Sequence, residues 1–216
     1  MIKVLVFDLD GTLIDTDNVL IANWQEIFKT FKPKDYKIDD ETIKTFSGPP
    51  LKETIKKYLP EYDVDYICDE FDKRIKKYYD TKLLFFDDYL SILKKLKENC
   101  YKLAILTSKN RVMTEYCINL MHASDIFDYI VTSSDLTRFK PDPEGLNLIM
   151  KYFNCSNDEM INIGDTEYDY YCGQNAKVKT IMMTMKNRKF KSKIFPLAFI
   201  NSYNSLYKEI LNYDHK

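Results

Sequence analysis

From Leu84 onward the chain alternates short apolar runs with amphipathic stretches, and this alternation restricts the fold more than any other feature. The spacing predicts helices over 88–99, 111–121, 144–153 and 167–176. It predicts strands over 101–107, 129–133, 160–164 and 178–184, and a last strand–helix pair near 198–212. Strands joined through helices run parallel, so the expected class is α/β, a doubly wound, Rossmann-like parallel sheet with helices on both faces. The β-branched run Ile2–Phe7 reads as a further buried strand of the same sheet.

The residues between that strand and Leu84 read as helical. Asp15 to Phe31 sets Leu20, Trp24, Ile27, Phe28 and Phe31 on one face, with Asp15, Thr16 and Asp17 available as caps. A short helix over Asp39–Phe46 ends at SGPP (Ser47–Pro50), which starts another carrying Leu51, Ile55, Tyr58 and Leu59. Val64 to Tyr79 repeats apolar residues at helical spacing. The chain therefore reads as an α/β core, 1–15 and 84–216, interrupted by a helical insertion over 16–83. Trp24, Phe28, Phe31 and Phe71 are read as the insertion's own core.

Composition removes several classes of function. With 32 basic and 33 acidic residues the net charge is −1, so no global field draws nucleic acid or an anionic membrane. Five cysteines without a CxxC pair argue against a disulfide framework or a structural zinc, and are read as reduced core residues. Two histidines leave little room for histidine triads or histidine-rich metal sites. No apolar run approaches the roughly 18 residues of a membrane span, and no leader pattern opens the chain, so a cytoplasmic protein is expected.

The chemistry lies where strands end. In FDLDGT, Asp8 and Asp10 are two apart on extended backbone and face one way, while Leu9 faces the core and Gly11 breaks the strand. An aspartate of ordinary pKa, about 3.9, is already ionised at neutral pH and can attack phosphorus if a divalent cation offsets the repulsion between anions. Asp10 is then the group to protonate a leaving oxygen. The same residues also suit a solvated acidic turn, so the other strand ends must decide.

Ligands of open parallel sheets bind at the carboxyl ends of the strands. The strand over 101–107 ends in Thr107 and Ser108, the strand over 160–164 in Gly164 and Asp165, and Lys140 precedes a helix in FKPDP. Thr107 and Ser108 are candidate donors to phosphoryl oxygens, with Gly11 a further phosphate-binding position and Lys140 a fixed positive charge. Asp165 and Asp169, four apart at a helix start, suit a magnesium shell, with Asp169 bound directly or through water, and equally suit a capped helix.

Taken together, these strand ends resemble the haloacid dehalogenase superfamily of phosphohydrolases, in the branch of phosphoglycolate phosphatase and β-phosphoglucomutase, over nearly the whole chain. The resemblance implies a catalytic core with an inserted helical cap. It makes Asp8 the nucleophile and Asp10 the acid/base, and matches Thr107 and Lys140 to the second and third motifs and Asp165 and Asp169 to the fourth. It also implies Mg²⁺, held by the Asp8 side chain, the backbone carbonyl of Asp10 and the fourth-motif acids.

Three departures refine that picture. The dehalogenases lack the second aspartate, so Asp10 favours phosphate over halide. The family's Ala-x-Asn-Ala-Gly is replaced by Gly173, Gln174, Asn175, Ala176 and Lys177, read as a changed helix end that touches no catalytic atom. Where mutases carry an arginine after the cap-loop glycine, Gly48 is followed by Pro49 and Pro50.

The expected function is a Mg²⁺-dependent phosphatase of small phosphorylated metabolites acting through an aspartyl-phosphate, as a monomer or homodimer without nucleic-acid or membrane partners. A sugar-phosphate mutase and a catalytically idle phosphate-binding or regulatory module are the alternatives. Selectivity is assigned to Phe46, Gly48 and Lys52 in FSGPPLK, a segment that also suits a plain helix connector. The basic residues Lys186, Arg188, Lys189, Lys191 and Lys193 receive no role.

Overall fold

The computed structural model describes residues 1–186, 190 and 192–214. Arg188, Lys189 and Lys191 of the basic segment lie outside the described residues. The chain divides into two compact units, Met1–Leu13 with Phe85–Lys216, and Ile14–Leu84. In chain order the first elements are β1 (Val4–Phe7), β2 (Ile14–Asp15), α1 (Asp17–Phe31), α2 (Asp40–Lys44), α3 (Leu51–Tyr58), α4 (Val64–Lys82) and β3 (Leu84–Phe85). Then follow α5 (Tyr89–Glu98), β4 (Lys102–Leu106), α6 (Arg111–Leu120), β5 (Tyr129–Val131), α7 (Glu144–Phe153), β6 (Met160–Gly164), α8 (Glu167–Ala176), β7 (Lys179–Met183), β8 (Ala198–Ile200) and α9 (Tyr203–Asp214).

Six strands form one parallel sheet in the order β5-β4-β1-β6-β7-β8, the class expected from the alternation. The winding reverses at β1. After β1 the chain builds outward through β4 and β5, then crosses back to lay β6, β7 and β8 on the other side. The carboxyl ends of β4, β1 and β6 therefore lie side by side, with Phe7 level with Ile105 and Ile163. Val4–Phe7 is buried on both faces, as a central parallel strand must be. Val4 and Val6 join Leu146 and Ile149 of α7 and Cys172 and Ala176 of α8 in one apolar cluster, while alternation turns Leu5 and Phe7 to the other face. Each such side chain stabilises the fold by about 1.5–3 kcal/mol, so the strand that carries the acids is held rigidly.

The helical unit packs α1 against α4 around Trp24, whose ring lies 5.3 Å from Phe28, 5.2 Å from Phe46 and 5.1 Å from Phe71. Trp24, Phe28 and Phe71 are buried and Phe31 half-buried, so these aromatics are this unit's core.

Four local readings are corrected. Asp15, read as the start of the first helix, is extended because β2 pairs with β3, so α1 starts at Asp17, and Thr16 at its cap position makes no side-chain cap bond. Asp15 Oδ1 accepts from the Asp17 N–H instead. The helix expected over Asp39–Phe46 is Asp40–Lys44, since Asp39 caps it through the Thr42 N–H and Phe46 turns inward onto Trp24. The strand expected to reach residue 133 ends at Val131, because Asp135 Oδ2 takes the Thr132 N–H and hydroxyl in a capping box that starts a 3₁₀ turn. Cys100 is exposed, at φ +67° in the turn after α5, and none of the five cysteines is joined in a disulfide.

Candidate active site

Asp8 is the first residue beyond β1, and its N–H continues the ladder by donating to the Ile163 carbonyl at 2.8 Å. Leu9 buries itself completely and Gly11 then turns the backbone at φ +87°. A side chain there meets two obstacles. The conformation disfavours an L-residue, and a Cβ would overlap the carboxylate of Asp165. Gly11 thus serves as the space into which Asp165, fully buried at the end of β6, fits.

Asp169 belongs to the first turn of α8. Its Oδ2 accepts from the Thr166 N–H at 3.0 Å and the Thr166 hydroxyl at 2.7 Å, forming a capping box, and its Oδ1 meets the Lys140 ammonium at 2.6 Å. The sequence left Asp169 open between cap and metal shell; the carboxylate caps and pairs at once. Buried Asn162 in mid-β6 donates to the Asp169 carbonyl at 2.9 Å, tying the start of α8 to the sheet. A lone polar residue in MINIG was the available signal.

Lys140 extends its buried ammonium between Asp169 and Asp8, reaching Asp8 Oδ1 at 2.8 Å. Burial works against its charge, yet the Asp169 and Asp8 carboxylates beside it outweigh that and hold the ammonium protonated well above the usual lysine range. Asp8 departs from the ordinary value that the sequence reading assumed for it. Burial raises its carboxyl well above the ordinary range; Lys140 opposes this, and Asp169 and Asp165 reinforce it.

Three carboxylates against one ammonium leave the cluster negative and dry. Asp8, Asp165 and Asp169, all buried, each offer an oxygen, and these lie within 4.8 Å of one another. Oxygen donors at that separation suit a hard divalent cation, which would also relieve the burial penalty on Asp8, so the residues present fit such an ion.

Thr107, buried at the end of β4, has its Oγ1 accept from the Lys109 N–H at 3.2 Å, so its own proton remains to be donated. Ser108 follows it, half-buried. Asp10 lies outside the triad: its Oδ2 pairs with Lys109 Nζ at 3.1 Å, while its buried Oδ1 has no hydrogen-bond partner among the described residues. Lys109 was not singled out from the sequence, although its place directly after the strand-end hydroxyls in ILTSKN was a usable signal.

The three residues assigned to selectivity belong to the helical unit. Phe46 is buried between Trp24 and Tyr58, with ring distances of 5.2 and 4.6 Å, and packs in this unit's aromatic core. Gly48 has φ +133°, and Lys52 is exposed and paired with Asp65 of α4 at 2.7 Å.

The model of the haloacid dehalogenase-like hydrolase family matches residues 5–183. The chain is 30% identical over 207 residues to the pyrophosphatase PpaX of Bacillus cereus, covering 95% of this chain and 94% of that one. Among solved structures, a predicted phosphatase from Clostridium acetobutylicum shares 25% identity with a TM-score of 0.77 over 98% of this chain and 99% of its own. CbbY from Rhodobacter sphaeroides, in complex with phosphate, shares the fold with a TM-score of 0.79 at 18% identity, over 95% and 96% of the two chains. Matched by that family model over most of its length, the chain belongs to the haloacid dehalogenase-like hydrolases and is an enzyme of that family.

Proposed function

We propose that the protein is a Mg²⁺-dependent phosphatase of small phosphorylated metabolites, working in the cytoplasm through an aspartyl-phosphate on Asp8. The observation that carries this reading is the buried cluster in which Lys140 joins Asp8 to Asp169 beside Asp165. Asp8, Asp165 and Asp169, with the backbone carbonyl of Asp10, would hold the ion. Mg²⁺ there would offset repulsion between Asp8 and an anionic substrate and polarise the phosphoryl oxygens.

An Asp8 carboxylate oxygen forms a bond to phosphorus as the ester P–O bond breaks, and its electron pair leaves on the departing oxygen, which takes a proton from Asp10. A water oxygen then bonds to phosphorus while the Asp8–phosphorus bond breaks, and Asp10 takes the water proton. Lys140 and the Thr107 hydroxyl neutralise and orient the phosphoryl oxygens, with Ser108 and the Gly11 turn beside them. Lys109, paired with Asp10, orients that carboxylate. The helical unit acts as a cap, with Gly48 and Lys52 contributing to selection.

A second reading, pyrophosphate as the substrate, is favoured by the name of the Bacillus cereus relative. The chemistry is unchanged, because phosphate replaces an alkoxide as leaving group. Phosphate release over a panel of phosphoglycolate, sugar phosphates, nucleotides, pyrophosphate and para-nitrophenyl phosphate tests both readings. Magnesium-dependent release is the expected result, and no release from any of them contradicts the function.

A further inference from the structure

Lys140 sits in an irregular loop, yet its ammonium must hold its place between two carboxylates to within tenths of an ångström. The loop is fastened from two sides. On the α7 side, Glu144 Oε1 and Oε2 accept from the Thr137 N–H at 3.0 Å, the Thr137 hydroxyl at 2.9 Å and the Arg138 N–H at 2.8 Å. On the α8 side, Asn175 Nδ2 donates to the Pro141 carbonyl at 2.9 Å and Cys172 Sγ donates to the Asp142 carbonyl at 3.3 Å. Asp169, Cys172 and Asn175 recur every three residues, so one stripe of α8 grips Lys140 by its ammonium and the next two residues by their carbonyls. Cys172 is fully buried, and burial pushes its thiol up to about 12, so it stays protonated and able to donate. Asn175 is exposed and leaves no packing to explain its place.

We propose that Asn175, seconded by Cys172, is a positioning residue for Lys140. Its hydrogen bond to the Pro141 carbonyl fixes the backbone next to the lysine and so the aim of the ammonium at Asp8. The inference rests on the catalytic reading of Lys140 given above, and it assigns work to a residue of the helix end that the sequence reading had left without any. Misplacement of a charge-neutralising group weakens transition-state contacts more than ground-state binding, so kcat carries the effect.

The test compares Asn175→Ala, Asn175→Gln, Gln174→Ala and Lys140→Ala with the parent, using para-nitrophenyl phosphate and Mg²⁺ and recording kcat, KM and Tm. Loss of one hydrogen bond predicts a kcat for Asn175→Ala lower by roughly three- to tenfold with KM little changed. Its Tm should change little, because the better helix propensity of alanine offsets the lost hydrogen bond. Asn175→Gln keeps the amide and should recover part of the loss, and Gln174→Ala should match the parent. If Asn175→Ala turns over like the parent while Lys140→Ala is crippled, the positioning role is overturned and the catalytic reading stands. Parental turnover in Lys140→Ala overturns both. Equal losses in Asn175→Ala and Gln174→Ala would mark a general effect of the helix surface and likewise overturn the proposal.

Discussion

The carboxylate of Asp165 occupies the space that a side chain on Gly11 would need. The two residues lie more than 150 positions apart in the chain, at the ends of neighbouring strands, and each defines the other's conformation. Gly11→Ala should therefore displace Asp165 and strain a positive-φ turn, costing about 1–3 kcal/mol from the backbone alone. Activity should fall well beyond what that loss of stability explains. Parental activity in a folded Gly11→Ala protein would show that Asp165 can move without consequence.

Asp8→Asn should abolish turnover, by roughly a thousandfold or more, because an amide cannot serve as the nucleophile. The same variant carries a pH signature. Burial raises the folded-state pKa of Asp8 above its unfolded value, so the stability linked to this group is complete below the unfolded value and is lost as pH rises through the folded one. Without metal, Asp8→Asn should melt higher than the parent at neutral pH, by about 2–4 °C for each kcal/mol relieved, and the gap should close on acidification. A gap that widens toward acid pH would reverse the assigned direction.

Lys140→Met removes the ammonium that, among the described residues, pairs with both Asp8 and Asp169. Breaking a buried pair while leaving its carboxylates behind typically costs about 3–5 kcal/mol. Denaturant melts at neutral pH should register that loss, and Lys140→Met combined with Asp8→Asn should regain part of it, since one of the stranded charges is gone. No recovery in the double variant would place the cost in packing rather than charge.

Chelation should stop phosphate release and Mg²⁺ should restore it, whereas Ca²⁺, with longer bonds and looser coordination, should bind without supporting turnover. A bound ion also offsets repulsion present only in the folded state. At a concentration of 100 Kd it should add about 2.7 kcal/mol of stability, visible as a rise in Tm. In Asp165→Asn that rise should shrink, and an undiminished rise would locate the ion elsewhere.

Phe46→Ala should lower stability by about 3–5 kcal/mol, as expected for a buried aromatic, through loss of its contacts with Trp24 and Tyr58. Lys52→Ala, which breaks only an exposed ion pair, should shift Tm by no more than about 4 °C and report chiefly on substrate ranking. A silent Phe46→Ala would contradict its place in the aromatic core.

The sequence by itself determined the class of fold and the positions of the acids. Period-two and period-3.6 patterns report which face of an element is buried, and Asp8, Thr107 and Asp165 stand at strand ends wherever those strands are placed. The extent of α8, Glu167–Ala176, was legible for the same local reason. Only the tertiary structure decided which groups meet. That Lys140 bridges Asp8 and Asp169, that Lys109 takes Asp10, and that Phe46 turns into the aromatic core all depend on contacts between segments distant in sequence. The charge state of Asp8 was hidden likewise, since its shift comes from burial and three charged neighbours on two other segments. Local pattern specifies what a residue is and which way it faces. Its electrostatics and its partners arise from desolvation and proximity, which exist only once the chain has folded.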